Sequence, residues 1–296
     1  MNTGTRKNTR AYTYTLPSLL LILLIVVFPI AYTVYISFTN MNIYHWTDYT
    51  FNHASNYIKA LTVVDEGFLG ALARTIVWTV INIVLQVSLA LAFALMLNVE
   101  NLKFKRLYKT ILMISWAMPG YISALIWKYG MYHNDYGLLN KIITSFGFKG
   151  VEWLNGDAMA FISCLLVNLW LALPFMILMV YGGLQSIDKA YYEIGEIEGA
   201  NLLTKIRKIT LPLLKPVLMP AVVMTTFVTF KQFDIVYLMT QQSGSKSGAN
   251  IHMVITYAFE KAFVTNNYGY SSALSVIIFA IIVLLTVGSQ KYLKEN

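Results

Sequence analysis

Six apolar runs, each near the length of a membrane-crossing helix, leave this chain little choice of solvent. They lie near 14–39, 71–97, 108–128, 158–183, 213–234 and 272–290. About 20 helical residues cross the roughly 30 Å of hydrocarbon in a bilayer. A barrel strand crosses it in about ten residues of strict alternation. These runs are continuous and twice as long, so the expected class is an all-α integral membrane protein with six transmembrane helices, each satisfying its own backbone. Only 12% of the 296 residues are charged, against about 25% in a soluble domain.

The first run follows Arg6, Lys7 and Arg10, as a secretion signal would. It continues to about Phe38 without a small-x-small cleavage site, which predicts an uncleaved first span, 14–39, behind a tail of residues 1–13. With that tail inside, fourteen of the 22 basic residues flank the inner ends of spans. Seven, among them Arg74 and Lys128, fall in the outer segments. The bias predicts both termini in the cytoplasm, with 291–296 as the second tail. The net charge of +8 is thereby accounted for by span flanks rather than by a nucleic-acid groove. One cysteine, Cys164, and four scattered histidines give no metal-ligand spacing.

The predicted outer loops, near 40–70, 129–157 and 235–271, are too short for a separate solute-binding domain. Tyr44, Trp46, Tyr49, Tyr57, Tyr132, Tyr136 and Trp153 crowd the first two. They fit an interfacial aromatic belt or a docking face for an external protein. Gly244-Ser245-Lys246-Ser247 lacks the glycines of a phosphate loop. Asp48, Asp65, Glu66, Asp135 and Asp157 have no catalytic spacing, so a membrane transferase is disfavoured and no catalytic residue is assigned.

The longest polar interval in the second half runs from Asp188 to Pro212. Asp188 is placed to cap a short helix from Lys189, interrupted in propensity at Gly195. Gly199 permits a turn with positive φ. Asn201 is placed to cap a second short helix to about Ile209, and Pro212 suits the first turn of the fifth span. Flanking this interval, Asn168, Ala172 and Phe175 fall at i, i+4, i+7 on span four, beside Pro174, which should kink it. Thr225, Thr229 and Gln232, with Val228, do the same on span five. Such stripes either line a cavity or bond helix to helix. Asn82 and Gln86 on span two leave the same choice open, as do Lys231 and Asp234, which contact solute or snorkel to the interface.

Glu193-Ile194-Gly195-Glu196-Ile197-Glu198-Gly199-Ala200, followed by Ile209-Thr210-Leu211-Pro212, resembles the loop of permease subunits of bacterial ATP-binding-cassette importers. The family pattern is Glu-Ala-Ala, three residues, Gly-Ala, then Ile-x-Leu-Pro. Ile194 and Gly195 depart from the two alanines. The acidic residue before Gly-Ala resembles the carbohydrate-importing, maltose-type branch. The resemblance implies the type I importer permease fold, with a transmembrane domain over 71–290 and a coupling loop at 186–212. It implies that Glu193, Glu196, Glu198, Gly199 and Ala200 couple to a cytoplasmic ATPase dimer. It implies a second permease subunit, an external solute-binding protein, and a sugar site at Asn168, Ala172, Phe175, Thr225, Val228, Thr229 and Gln232. ATP and magnesium would be held by the ATPase, leaving this chain without a cofactor. A permease for glycerol phosphate or an acidic sugar is the alternative.

Overall fold

The computed structural model describes residues 14–62, 67–241 and 251–295. The tail 1–13, Asp65, Glu66 and Gly244–Ser247 lie outside them. Helices come in the order α1 (Tyr14–Ser37), α2 (Ser55–Thr62), α3 (Phe68–Asn98), α4 (Lys105–Ala117), α5 (Gly120–Met131), α6 (Leu138–Ser145) and α7 (Asp157–Gln185). Then follow α8 (Ala190–Ile197), α9 (Leu202–Lys205), α10 (Leu211–Phe230), α11 (Asp234–Val236), α12 (Val254–Phe263) and α13 (Tyr268–Glu295). Among the described residues, five helical stretches are long and apolar enough to cross a membrane, or six if α4 and α5, bent by 93° at the break between them, count as one span. Contacts divide the chain into two compact units, Met1–Gly70 with Tyr257–Val283, and Ala71–Thr256 with Leu284–Asn296.

Three spans differ from the expected straight rods. The third breaks at Met118-Pro119. Met118 is extended (φ −83°, ψ 133°), as a residue before proline prefers, and Pro119 has no N–H to continue the ladder. The fifth is not preceded by a separate short helix. α9 passes through a π-helical turn, Ile206–Thr210, straight into α10, with Pro212 in its first turn. The ladder then loosens at Lys231–Phe233 before α11. The last helix runs to Glu295, so its predicted tail 291–296 is largely helical.

In the first unit, Asn56 ties the end of α1 to the loop that follows. Its amide donates to the Ser37 and Thr39 carbonyls, both at 2.9 Å. The Gly269 N–H donates to the Met41 carbonyl (2.8 Å), bringing the start of α13 onto the same loop.

The second unit gathers around α7. Ala160, Cys164, Leu165 and Val167 of its first half lie in one buried cluster with Trp78, Tyr132, Ile235 and Met239. Met176, Ile177, Val180 and Leu184 of its second half lie in another, with Ala90, Ala94 and Leu214. Burying roughly 1.5–3 kcal/mol of apolar side chain per residue at both ends holds α7 fixed and leaves its middle free for other work. Pro174 sits inside α7, which stays one helix from Asp157 to Gln185. Two basic residues counted with the outer segments lie in the candidate spans instead. Arg74 donates to the His252 carbonyl (3.1 Å) and buried Lys128 to the Leu238 carbonyl (2.8 Å). Tyr132 is buried and stacks on Trp153 with centroids 5.1 Å apart, so these two organise a core rather than a belt.

Candidate functional site

The free middle of α7 faces a cavity of about 340 Å³. Asn168, Ala172 and Phe175 line it from α7, and Thr225, Val228 and Gln232 from α10 and the loosened turn after it. Thr229 does not. It is 3% exposed and packed away from the cavity. The wall takes the side of α10 that carries Met224 and Val228. Thr229 lies about 100° around the helix from Val228, on the far flank of the Thr225–Gln232 line.

Further lining comes from residues outside the sequence-predicted set. Trp116, Met118 and Gly120 enter at the α4–α5 break, and Asp234 at the head of α11. The available signal for the first three was Pro119-Gly120, a turn dipeptide inside an apolar run. Both helix breaks thus open onto the cavity, where irregular backbone is tolerable within a membrane. Trp116 and Phe175 stack with centroids 6.4 Å apart and planes 19° from parallel. Among the described residues, Asp234 is the one ionic side chain in the lining; Lys231 is exposed and not part of it. A Cβ at Gly120 would sit 3.5 Å from Asp234 Oδ2, so the third and fifth spans meet at this carboxylate.

Behind the wall, Asn168 Nδ2 donates to Asn82 Oδ1 (2.7 Å), and Asn82 Nδ2 donates to the Trp78 carbonyl (2.9 Å). Asn82 is therefore a helix-to-helix link rather than part of the lining. Gln86, one turn on, is fully buried with neither amide atom hydrogen-bonded among the described residues.

The interval between α7 and α10 folds as a compact hairpin. Asp188 Oδ1 accepts from the Ala190 N–H (3.0 Å) at the start of α8. Gly195 lies within α8, against expectation. It is buried, and a Cβ there would stand 3.0 Å from Ile209 Cδ1 in the π turn, so an added methyl would require that side chain to give by a few tenths of an ångström. α8 ends with Gly199 at φ +76°, the Ala200 N–H donating to the Gly195 carbonyl (2.8 Å) and the Gly199 N–H to Glu196 (3.0 Å). That is a Schellman cap, which needs a left-handed residue at its turn. Asn201 Oδ1 accepts from the Thr204 N–H (2.8 Å) at the head of α9.

Two further links close the hairpin: Lys205 Nζ to Glu196 Oε1 (2.6 Å) and Tyr192 to Thr210 through their hydroxyls (3.0 Å). Glu196 is thus partly committed inward. Glu193 and Glu198 stay exposed beside Ile194 and Ile197, which is 87% exposed, while Ala200 is half-buried. Lys189 pairs with Glu100, beyond the end of α3. That pairing holds the Glu100 carboxyl below its usual range, by hydrogen bond first and charge second, and raises Lys189.

Residues 86–295 match the family described as "Binding-protein-dependent transport system inner membrane component". The chain is 33% identical over 276 residues to the trehalose/maltose transport system permease protein MalF of Thermococcus litoralis, spanning 93% of this chain and 90% of that one. It is 29% identical to the galactooligosaccharides transport system permease protein GanP of Bacillus subtilis, over 92% and 67%. It is 31% identical to the sulfoquinovosyl glycerol transport system permease protein SmoG of Agrobacterium fabrum, over 91% and 85%. A crystal structure of a bacterial ABC transporter importing the acidic polysaccharide alginate superposes at TM-score 0.79 with 15% identity, covering 98% of this chain and 96% of that one. The fold is accordingly that of a type I ABC importer permease, a multi-pass membrane subunit that transports rather than catalyses. With cavity, hairpin and sequence in agreement, the chain belongs to the binding-protein-dependent transport system inner membrane component family.

Proposed function

We propose that this chain is the transmembrane subunit of an ATP-driven importer of neutral sugars, of oligosaccharide size, with both termini in the cytoplasm of a bacterial cell. The carrying observation is the lining of the cavity. Two aromatic rings, Trp116 and Phe175, stand beside neutral hydrogen bonders, Asn168, Thr225 and Gln232. Aromatic faces suit the C–H faces of sugar rings, and amides and hydroxyls suit their hydroxyls. The relatives named for trehalose, maltose and galactooligosaccharides support that solute class. With Asp234 as the only ionic lining group among the described residues, a phosphate or uronate would meet a like charge.

The Glu193–Ala200 hairpin is the coupling element in this reading. Its exposed carboxylates Glu193 and Glu198 and apolar Ile194 and Ile197 form a docking surface for a cytoplasmic ATPase, which alone holds ATP and magnesium. α9, the π turn and α10 are continuous, so a push on the hairpin passes along one helix to Thr225, Val228 and Gln232. A second, homologous permease subunit completes the pathway, and an external binding protein delivers solute for alternating access. The test is ATP hydrolysis by the reconstituted four-component complex. Trehalose, maltose and galactooligosaccharides, loaded on the binding protein, should stimulate it, whereas alginate oligosaccharides should not. Stimulation by the acidic sugars alone, or by none, refutes the reading.

A further inference from the structure

The orientation of the Asn168 amide in the cavity wall is not arbitrary. A backbone carbonyl accepts hydrogen bonds and cannot donate them. Asn82 must therefore turn its Nδ2 to the Trp78 carbonyl, 2.9 Å away. That leaves Asn82 Oδ1, an acceptor, facing Asn168 at 2.7 Å, so Asn168 must answer with its own Nδ2. Both side chains are at least nine-tenths buried, so water does not compete for these contacts. Among the described residues, the Asn168 atom left without a protein partner is its carbonyl oxygen, on a residue that lines the cavity.

We infer that Asn82 is a positioning residue for solute selection. Through an amide-to-amide bond anchored on the Trp78 carbonyl, it makes Asn168 present an acceptor to the cavity, so the sugar hydroxyl bound there must donate. This rests on the sugar-site reading above and adds to it a polarity. Asn82 itself touches no solute. Without it, the Asn168 amide can rotate by half a turn and offer its NH₂ group instead.

Two variants remove the tie. Asn82→Leu keeps the branched skeleton, though bulkier, and drops both bonds. Asn82→Ser keeps a hydroxyl able to bond the carbonyl one turn back, yet falls short of Asn168. Each complex is reconstituted with its ATPase, second permease and binding protein. Uptake is then compared for maltose and trehalose and for their monodeoxy and monodeoxyfluoro analogues. Fluorine can accept weakly but cannot donate. In the wild type, at one carbon, the deoxy and fluoro analogues should be imported equally poorly, about tenfold below the parent, the worth of one such bond. In both variants the fluoro-to-deoxy ratio at that carbon should rise. The same binding protein serves all complexes, so its own selectivity cancels. A purely structural role for Asn82 would lower uptake and leave this ratio unchanged. Identical ratios in wild type and both variants at every carbon overturn the positioning role while leaving the sugar site standing. If neither parent sugar is taken up by the wild type, the sugar-site reading fails, and this inference with it.

Discussion

Trp116 and Phe175 come from helices on either side of the Met118-Pro119 helix break, yet their rings stack 6.4 Å apart, 19° from parallel, on the wall of the cavity. Trp116 lies in the last turn of α4, two residues before the extended Met118, and Phe175 follows Pro174 in α7. The pairing places two aromatic faces beside the hydrogen bonders that would orient a sugar. Such stacked pairs contribute about 0.5–1.5 kcal/mol beyond their buried area.

Removing either ring should therefore impair solute handling more than assembly. Phe175→Ala and Trp116→Ala are expected to lower solute-stimulated ATPase about tenfold each, with basal hydrolysis retained. The double variant should lose less than the product of the two, because each ring supports the other. Strictly multiplicative losses in a double-mutant cycle would show that the rings act independently.

Gly269 meets the Thr39 carbonyl so closely that a Cβ would stand 2.2 Å from its oxygen. The obstacle is backbone, so it cannot swing aside. Gly269→Ala is expected to destabilise the loop after α1 by about 1–3 kcal/mol, the usual range for overpacking. Gly288→Ala, where nothing lies within 4 Å of the added carbon, is the control and should melt with the wild type. Equal melting temperatures for the two alanine variants in detergent would contradict the close approach.

Gly199 carries the left-handed turn that ends α8. A side chain at φ +76° costs about 1–2 kcal/mol, so Gly199→Val should unwind the cap that fixes Ala200 against Gly195. Because the hairpin leads into α10 without a break, the expected phenotype is uncoupling. ATPase stimulation by solute should be lost while the complex still assembles. Retained stimulation would show that the cap is dispensable for coupling.

The sequence made much of this legible, and the exceptions have a common cause. Hydropathy located the spans, and the caps at Asp188, Gly199 and Asn201 followed from local chemistry that the structure realises with hydrogen bonds and a left-handed turn. Six of seven stripe residues reached one cavity because helical periodicity aligns them. Thr229 did not, since i, i+4, i+7 spacing cannot say which flank of the line faces inward. Trp116 and Gly120 escaped because they arrive through a helix break, where periodicity carries no phase, while Asp234, left open in the sequence between solute contact and snorkelling, lines the cavity. Gly195, a weak helix former, lies within α8 all the same, buried against Ile209 of the π turn.

The Glu100–Lys189 pair gives the hairpin a pH signature. The folded pKa of Glu100 is depressed, so its contribution is present at neutral pH and is lost as pH falls through the folded value, below the ordinary carboxylate pKa of about 4. The folded pKa of Lys189 is raised, so its contribution is complete below the ordinary lysine pKa of about 10 and lost only above it. The pair is therefore intact across the neutral range. Both partners are largely exposed, and little global stability depends on them. The expected effect is local. Amide exchange near residues 100 and 189, compared after correction for intrinsic rates, should quicken in acid. Glu100→Gln should show the quickened exchange already at neutral pH and gain nothing further in acid. Exchange in the variant that matches wild type at neutral pH would remove the pair from the picture.

Asp234 sets the charge of the cavity. Among the described residues it is the single ionic group of the lining, at the head of a short helix, with Gly120 of the neighbouring span against its carboxylate side. A negative solute approaching within a few ångströms would be repelled in a medium of low effective dielectric, where a unit-charge pair at 4 Å is worth about 4 kcal/mol at an effective constant of 20. Asp234→Asn removes the repulsion without changing shape, and Asp234→Lys reverses it. Neutral sugar transport should survive the first change within a few-fold. Stimulation by a uronic-acid analogue of the same sugar, delivered on a binding protein that accepts it, should rise from wild type to Asn to Lys. The neutral-to-acidic ratio carries the result, since it is independent of how much complex assembles. A ratio that stays constant across the three complexes would mean that solute passes without feeling Asp234, and selection by charge would then have to lie in the binding protein.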